Sequence, residues 1–300
     1  MALPARLPPP VRPGDRVGVA ALSGPVDPKR LARGMETLGH LGFEPVAAEN
    51  LASTRGYLAG SDDERLAAFH RLAADRTLSA VFFARGGYGS LRVVDRLDWE
   101  LLAAHPRAYV GYSDLTPLLS AVVGRLGLAS FHGPMVAADL ARGLSPEEEG
   151  SLLGALAGDL PSLVPVATWL VPGAAEGPLA GGCLSLLAAA AGTPFAPDFE
   201  GAVVLLEDLG EPLYRLDRLL TQLRLSGLLS GAAGVVVGHL DLPAGQDPGA
   251  LVELLADRLG DLGVPVALGA SSGHSPPNLT LPLGLLCRLE PGSGLLVGIS

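Results

Sequence analysis

The feature that most constrains the fold of this sequence is a repeated alternation of short apolar strands with helical stretches, joined by glycine-containing turns. In the first half, the predicted strands are 16–21, 43–47, 78–83 and 108–111, and the predicted helices are 28–41, 61–75, one beginning at Ser90, and 115–126. Such alternation implies right-handed crossovers and a mostly parallel sheet. Because ligands of such sheets bind beyond the carboxyl ends of the strands, functional residues are expected in the strand-to-helix turns.

The chain becomes rich in Pro, Gly and Ala between Asp159 and Gly182, with a modest strand signal only at 167–171. Beyond this segment, the predicted strands are 202–206, 233–237 and 264–268, and the predicted helices are the run CLSLLAAAAG and 213–225. A chain of 300 residues is long enough for one large or two ordinary domains. We therefore predict an α/β protein. A flavodoxin-like, parallel-sheet N-terminal domain at 1–160 precedes a linker at 161–180 and a smaller C-terminal α/β domain with an irregular sheet at 181–300.

Composition limits the partners. The formal net charge is −10 and the basic residues are scattered, which argues against a nucleic-acid surface. No stretch approaches the roughly 18 to 20 apolar residues needed to cross a bilayer, and the N-terminus has no uninterrupted apolar segment of a signal peptide. Cys183 and Cys287 are too few for a disulfide framework and are expected to be buried thiols. These features predict a cytoplasmic protein that acts on a small molecule, without nucleic-acid or membrane partners.

Ser113 is the first candidate for a reactive group. It lies in RAYVGYSDLTPLL, where a predicted strand meets a predicted helix, as in a nucleophile elbow. The G-x-S-x-G pattern is incomplete, because Leu115 stands two residues after the serine. On the pattern alone, Ser113 could instead only cap the helix.

A reactive serine needs a general base and a group that orients the base. His274 lies in the polar loop ASSGHSPPNLTLPLG after a predicted strand, where Gly273 and the two prolines predict an unusual path with an accessible imidazole. The alternative is a loop histidine that bonds only to backbone. His132, in FHGP, is interpreted first as structural.

Glu207 is the candidate acid, because it follows an apolar strand in AVVLLEDLGEPLYRLDR. Asp208 and Glu211 compete for the role, and Glu207 could instead pair with Arg215 or Arg218. The order serine, acid, histidine is also that of the α/β hydrolases.

The turn ARGGYGS, residues 84–90, could cradle a phosphate, because glycines allow close backbone approach at a helix start. It lacks the ending of a Walker loop and the spacing of a dinucleotide fingerprint. In a hydrolase the same N–H groups would serve as an oxyanion hole. The sequence leaves both open.

In combination, these segments resemble the LD-carboxypeptidase and microcin-immunity family of serine peptidases. The motifs that carry the resemblance are GYLAGSDDERLAAFHRL, FFARGGYGSLRVVDRLD, VGYSDLTPLL, FHGPM, PLAGGCLSLLAAAAGTPFAPDFEG, LLEDLGEPLYRLDRLLTQL and GHSPPNLTLPLG. The resemblance implies a two-domain homodimer in which Ser113 is the nucleophile, Glu207 the acid and His274 the base. It implies an oxyanion hole from the N–H groups of Asp114 and the Gly86–Gly87 turn, and no metal or organic cofactor.

The resemblance further implies cleavage before a terminal D-alanine in cytosolic muropeptides. Arg85 is our candidate for binding the substrate carboxylate. Ser275 stands where relatives often have Gly, and Cys183 where they often have Asn. These two departures leave the triad intact but leave the fine substrate preference open. Two other functions remain open: a microcin-immunity-like hydrolase of aminoacyl-adenylates or peptide-nucleotide amides, and a non-catalytic module that binds a small ligand.

Overall fold

The structure, a computed structural model, describes residues 4–299. The strands are β1 Arg16–Ala20, β2 Glu44–Ala47, β3 Leu78–Phe83, β4 Ala108–Gly111, β5 Ser130–His132, β6 Ser162–Val164, β7 Thr168–Val171, β8 Ala175–Cys183, β9 Val203–Leu209, β10 Gly234–Asp241, β11 Val266–Leu268, β12 Leu281–Leu283, β13 Leu286–Glu290 and β14 Gly294–Val297. The α-helices are α1 Pro28–His40, α2 Asp62–Ala74, α3 Trp99–Ala104, α4 Thr116–Leu126, α5 Pro146–Ala157, α6 Leu184–Ala190, α7 Leu213–Leu225 and α8 Pro248–Leu259.

The first sheet has six strands in the order β12-β5-β4-β3-β1-β2. All its neighbours are parallel except β12, which runs antiparallel to β5. The five strands from the first half follow the flavodoxin-like order 2-1-3-4-5, so the predicted fold is confirmed. In this order the chain reverses direction across the sheet between β1 and β3, where ligands of such folds bind.

The second sheet has eight strands in the order β6-β14-β13-β8-β9-β10-β11-β7. Its centre, β8 to β11, is parallel, and both of its flanks are antiparallel. This mixed arrangement is the irregular sheet expected for the C-terminal half. Alternate residues of β9 pack on opposite faces: Val203 and Leu205 join the core shared with the first half, whereas Val204 and Leu206 pack beneath α6, α7 and α8.

The segment predicted as a linker, 161–180, is not irregular. It contains β6, β7 and the first part of β8, all of which belong to the second sheet. The glycines of β8 permit close packing rather than flexibility. A Cβ at Gly177 would lie 2.0 Å from Gly201 O, and one at Gly181 would lie 2.1 Å from Leu205 O. The division into domains at 1–160 and 181–300 stays a prediction.

The helix expected to begin at Ser90 is also absent. Residues Ser90–Arg92 and Val94–Arg96 form two short 3-10 turns, and the α-helix begins only at Trp99. Long-range hydrogen bonds explain this path: the buried Arg65 donates to Gly89 O, and the backbone N–H of Ser90 donates to the Asp114 carboxylate. Within residues 4–299, no helix combines the length and apolar character needed to cross a membrane.

Candidate active site

Ser113 follows β4 by one residue and begins a short 3-10 turn, Ser113–Leu115, that leads into α4. Its φ is +61°, and within the described chain it is the one non-glycine residue with positive φ. Such a conformation typically costs about 1–3 kcal/mol and persists only where the surroundings enforce it. The sharp strand-to-helix turn is therefore that of a nucleophile elbow, although the G-x-S-x-G pattern is incomplete.

The glycine turn after β3 packs directly against this elbow. A Cβ at Gly86 would lie 2.9 Å from the Ser113 Oγ and 3.4 Å from the backbone N of Asp114. Any larger residue at this position would displace the serine. Gly87 has φ +112°, a conformation that glycine adopts without strain. Gly86 of ARGGYGS therefore allows the turn to approach Ser113.

A cavity of about 380 Å³ opens beside these residues. It is lined by the predicted residues Arg85, Gly86, Gly87, Ser113 and His274, together with Asp27, Arg30, Tyr112, Met135, Ala137, Ala138 and Leu209. The structure thus brings together residues that follow β1, β3, β4 and β11. Glu207 lies behind His274, outside the lining, and the Asp114 side chain is buried.

His274 and Glu207 form a close pair, because Nδ1 of the imidazole lies 2.7 Å from Oε2 of the carboxylate. Glu207 is completely buried. A carboxylate here accepts a hydrogen bond from Nδ1–H, which leaves Nε2 as the basic nitrogen of the ring. Burial alone lowers the pKa of His274, but the hydrogen bond and the charge of Glu207 outweigh it, so that this pKa is raised.

Strand alternation explains which carboxylate pairs with the imidazole. Glu207 is the fifth residue of β9, not its last, and lies on the same face as Leu205, towards the first half of the chain. Asp208 lies on the opposite face and accepts the backbone N–H of Ser185 in the first turn of α6 at 2.7 Å. Glu211 pairs with Arg215 at 3.1 Å. Both competing acids therefore have other partners.

A second histidine faces the acid, a contact that sequence reasoning did not predict for His132. His132, at the end of β5, is buried, and its Nε2 lies 3.5 Å from the Oε1 of Glu207. Its Nδ1 lies 3.2 Å from the Oγ of Ser272. Burial raises the pKa of Glu207, but the imidazoles of His132 and His274 outweigh it and lower this pKa to about 2. The only signal in the sequence was the motif FHGP, whose histidine is the last residue of β5.

The loop that carries His274 is fixed to both halves of the chain. Asn278 accepts the backbone N–H of Gly273 at 3.0 Å, and its own backbone N–H donates to Glu148 of α5 at 2.9 Å. Ser275 donates to Asp241 at 2.7 Å. The role of Glu148, which also completes the capping box of α5, was not predicted from the sequence.

Arg85 and Arg30 supply two cations to the cavity. The guanidinium of Arg85 donates to Gly86 O at 3.2 Å and Pro25 O at 3.1 Å, and that of Arg30 donates to Ala137 O at 2.7 Å. Because these donors bind backbone carbonyls, the positive charges remain to attract an anion. Arg30 was not singled out from the sequence.

Two family models match the chain. Residues 17–133 match the LD-carboxypeptidase N-terminal domain, and residues 176–289 match the LD-carboxypeptidase C-terminal domain. The "Probable murein peptide carboxypeptidase" of Bacillus subtilis is 38% identical over 278 residues, which cover 90% of this chain and 87% of the relative.

Solved structures show the same architecture. The muramoyltetrapeptide carboxypeptidase from Oxalobacter formigenes has a TM-score of 0.81 at 30% identity, covering 95% of this chain and 99% of that one. The microcin C7 self-immunity protein MccF, in complex with aspartyl sulfamoyl adenosine, has a TM-score of 0.88 at 24% identity, with 98% and 99% covered. The Escherichia coli protein of that name is 25% identical over 316 residues, which cover 94% of this chain and 92% of the relative. From the family models and the sequence identity, we conclude that this chain belongs to the LD-carboxypeptidase family.

Proposed function

We propose that this protein is a serine carboxypeptidase that cleaves the L,D-peptide bond before a terminal D-alanine in muropeptides. Ser113 is the nucleophile, His274 the general base and Glu207 the acid that orients the base. The observation that carries the proposal is a strained serine in one cavity with an imidazole whose Nδ1 lies 2.7 Å from a fully buried carboxylate. The murein-peptide names of two relatives support this substrate class.

The proposed reaction begins when His274 Nε2 takes the proton of Ser113 as its Oγ attacks the scissile carbonyl carbon. The oxyanion is stabilised by the backbone N–H of Asp114 and by those of the Gly86–Gly87 turn. Glu207 steadies the imidazolium through Nδ1. His274 then donates its proton to the leaving amine, and D-alanine departs.

An acyl-enzyme on Ser113 remains after this first step. Water attacks it with the same histidine as base, and the serine leaves with its proton restored. The product is the shortened peptide with a new carboxylate.

The terminal carboxylate of the substrate distinguishes a carboxypeptidase from an endopeptidase, and Arg85 is the proposed cation for it. An Arg85→Ala variant should raise KM sharply, because the carboxylate loses its charged partner. An unchanged KM would exclude this role.

The decisive experiment measures D-alanine release from a tetrapeptide muropeptide by the wild type and by Ser113→Ala. Loss of a triad serine typically costs about a million-fold in turnover. Equal release by both proteins would disprove the nucleophile assignment. A folded wild type that releases nothing would be tested next on aminoacyl-adenylates, the alternative that the similarity to the microcin immunity protein keeps in view.

The non-catalytic alternative makes the opposite prediction for His274. A ligand-binding module would show no labelling of Ser113 by an active-site-directed phosphonate and no loss of function in His274→Ala. The triad proposal requires both labelling and loss.

We also propose a cytoplasmic homodimer that acts in cell-wall recycling, as the family resemblance implies. Light scattering on the purified protein measures its mass against the 30.6 kDa of one chain. Fractionation of the producing cells measures its compartment.

A further inference from the structure

Three strand-to-helix turns meet at one buried carboxylate, that of Asp114. Its Oδ2 accepts a hydrogen bond from Ser23 Oγ at 2.6 Å and another from the backbone N–H of Ser90 at 2.8 Å. Ser23 follows β1, Ser90 ends the glycine turn after β3, and Asp114 follows Ser113 after β4. All three residues are at most 1% exposed. We call these three side chains and their hydrogen bonds the Asp114 knot.

The same residues make a second connection through the backbone. Ser90 Oγ donates to the backbone carbonyl oxygen of Asp114. Ser90 therefore bonds to both the side chain and the backbone of Asp114. Gly24, next to Ser23, donates its N–H to Gly86 O at 3.2 Å. The turn after β1 is thereby tied to both the glycine turn and the elbow.

Burial of the Asp114 side chain has a cost in stability. A buried carboxylate loses its hydration, and the donors that contact this one are neutral: a hydroxyl and a backbone N–H. The position of Asp114, directly before α4, offers partial compensation, because a negative charge is favourable near a helix N-terminus. Burying a charge at this point suggests that the geometry it enforces is needed.

The geometry in question is the strained backbone conformation of Ser113. Its φ of +61° persists only if neighbouring contacts over-determine the backbone. The knot fixes both the side chain and the carbonyl of the next residue. Ser90 of the knot, together with the hydrogen bond from Gly24 to Gly86, also holds the Gly86–Gly87 turn at a fixed distance from the elbow. The N–H groups proposed for the oxyanion hole belong to these two segments.

We propose that the Asp114 side chain is a positioning residue: through Ser23 and Ser90 it holds Ser113 in its strained conformation and sets the spacing of the oxyanion-hole donors. The inference rests on the proposed function, since it assigns a role within that mechanism. It accounts for three side chains that the triad leaves unused.

The test compares Asp114→Asn, Ser90→Ala and Ser23→Ala with the wild type. Asp114→Asn keeps the shape of the side chain and removes the charge that its donors satisfy. Ser130→Ala is the matched control for Ser90→Ala, because Ser130 is equally buried and its hydroxyl also donates to a carbonyl, that of Leu119 at 3.0 Å.

We expect kcat for D-alanine release to fall about 100-fold in Asp114→Asn, the scale of losing an oxyanion-hole donor, with little change in KM. Ser90→Ala should show a smaller loss of the same kind, and Ser130→Ala none. Affinity for a peptide boronate, whose tetrahedral adduct on Ser113 resembles the transition state, should fall in parallel with kcat/KM. Affinity for the shortened peptide product should stay constant.

A merely structural role gives a different pattern: lower thermal stability, with kcat per folded molecule and boronate affinity unchanged in all three variants. That result would overturn the inference. If Asp114→Asn does not fold, Ser90→Ala and Ser23→Ala decide on the same readouts.

Failure of the proposed function remains distinguishable from failure of the inference. If the wild type releases no D-alanine, the rate of Ser113 labelling by a phosphonate replaces kcat as the readout. Slower labelling in Asp114→Asn and Ser90→Ala, but not in Ser130→Ala, supports the knot without reference to the peptide substrate. Equal labelling of all variants contradicts it.

Discussion

Ser113 and His274 line the same cavity, yet they are held in place in different ways. Ser113 has a strained φ, Gly86 packs against it, and the carboxylate of the next residue, Asp114, accepts hydrogen bonds from Ser23 and Ser90. Around His274 the main contact is a fully buried carboxylate, which faces a second histidine. The proposed nucleophile is therefore positioned by a strained backbone that neighbouring segments enforce, and the proposed base by a direct hydrogen bond to a charged side chain. Five predictions test this contrast.

The largest effect tests whether the two regions act as one unit. Ser113→Ala and His274→Ala should each lower kcat by about a million-fold, and the double variant should be no worse than either single one. The reason is that each residue is useless without the other. If the fold-losses of the two single variants multiply in the double variant, the two residues contribute to kcat independently. Single-turnover D-alanine release measures all three.

The second prediction concerns the acid. Glu207→Gln keeps the size of the side chain but stabilises neither the imidazolium nor the correct tautomer, so kcat should fall about 10,000-fold. Labelling of Ser113 by a phosphonate should slow as well. Asp208→Asn, one residue along β9 on the opposite face, should lose far less. An equal loss in both variants would mean that the face of the strand does not matter.

The third prediction concerns His132. Replacement by Ala removes the imidazole whose Nε2 lies 3.5 Å from the buried Oε1 of Glu207, and a full hydrogen bond to a charged group is worth about 1.5–3 kcal/mol, the upper limit for this longer contact. We therefore expect kcat to fall about tenfold to a hundredfold. His132→Gln, whose amide can still donate, should recover part of this loss. His70→Gln, on α2, is the control. If His132→Ala retains full activity, Glu207 depends on His274 alone.

The fourth prediction concerns pH. His274 accepts a proton only when neutral, and its pKa is raised above 6.5 because the hydrogen bond and the charge of Glu207 outweigh burial. Activity should therefore increase with pH, with a midpoint above 6.5. In Glu207→Gln the pKa of His274 should fall, although Asp208 and Asp139 still raise it. NMR titration of the imidazole measures the pKa of His274 in both proteins. If this pKa does not fall in Glu207→Gln, the charge of Glu207 does not control the protonation of His274.

The smallest effect is expected at Ser275. Its hydroxyl makes one partly buried hydrogen bond, to Asp241. Ser275→Gly should change kcat/KM less than about tenfold, since a single such bond contributes little. Asp241→Ala should behave in the same way. A large change in preference between muropeptides would instead make this position a determinant of specificity.

Sequence patterns correctly predicted the helices and strands that are determined by residues close together in the chain. The strand at 78–83 and the helix at 213–225 agree with the structure at both ends. Two failures have a common physical cause. The backbone at Ser90 follows hydrogen bonds to Asp114 and from Arg65, and the glycines of β8 pack against β9 and the chain before it. In both the helix predicted from Ser90 and the linker predicted at 161–180, contacts distant in sequence overrode the local preference.

The candidate site shows the same limit. Ser113, Glu207 and His274 were found because each stands at a recognisable position in a motif, and the structure brings them together. His132 and Glu148 were missed because their roles depend on partners 75 and 130 residues away, respectively. A single sequence shows neither contact. The triad assignment itself stays a prediction until the variants are measured.

The pairing of β12 with β5 has a consequence for biosynthesis. Residues 281–283 complete the edge of the first sheet, and β13 and β14 then join the second sheet beside β8. A growing chain that has not reached residue 281 therefore has two unfinished sheets and exposed strand edges. The His274 loop also reaches its contact with Glu148 only near this stage. The first half expressed alone should therefore leave the β5 edge of its sheet unpaired, a site open to aggregation.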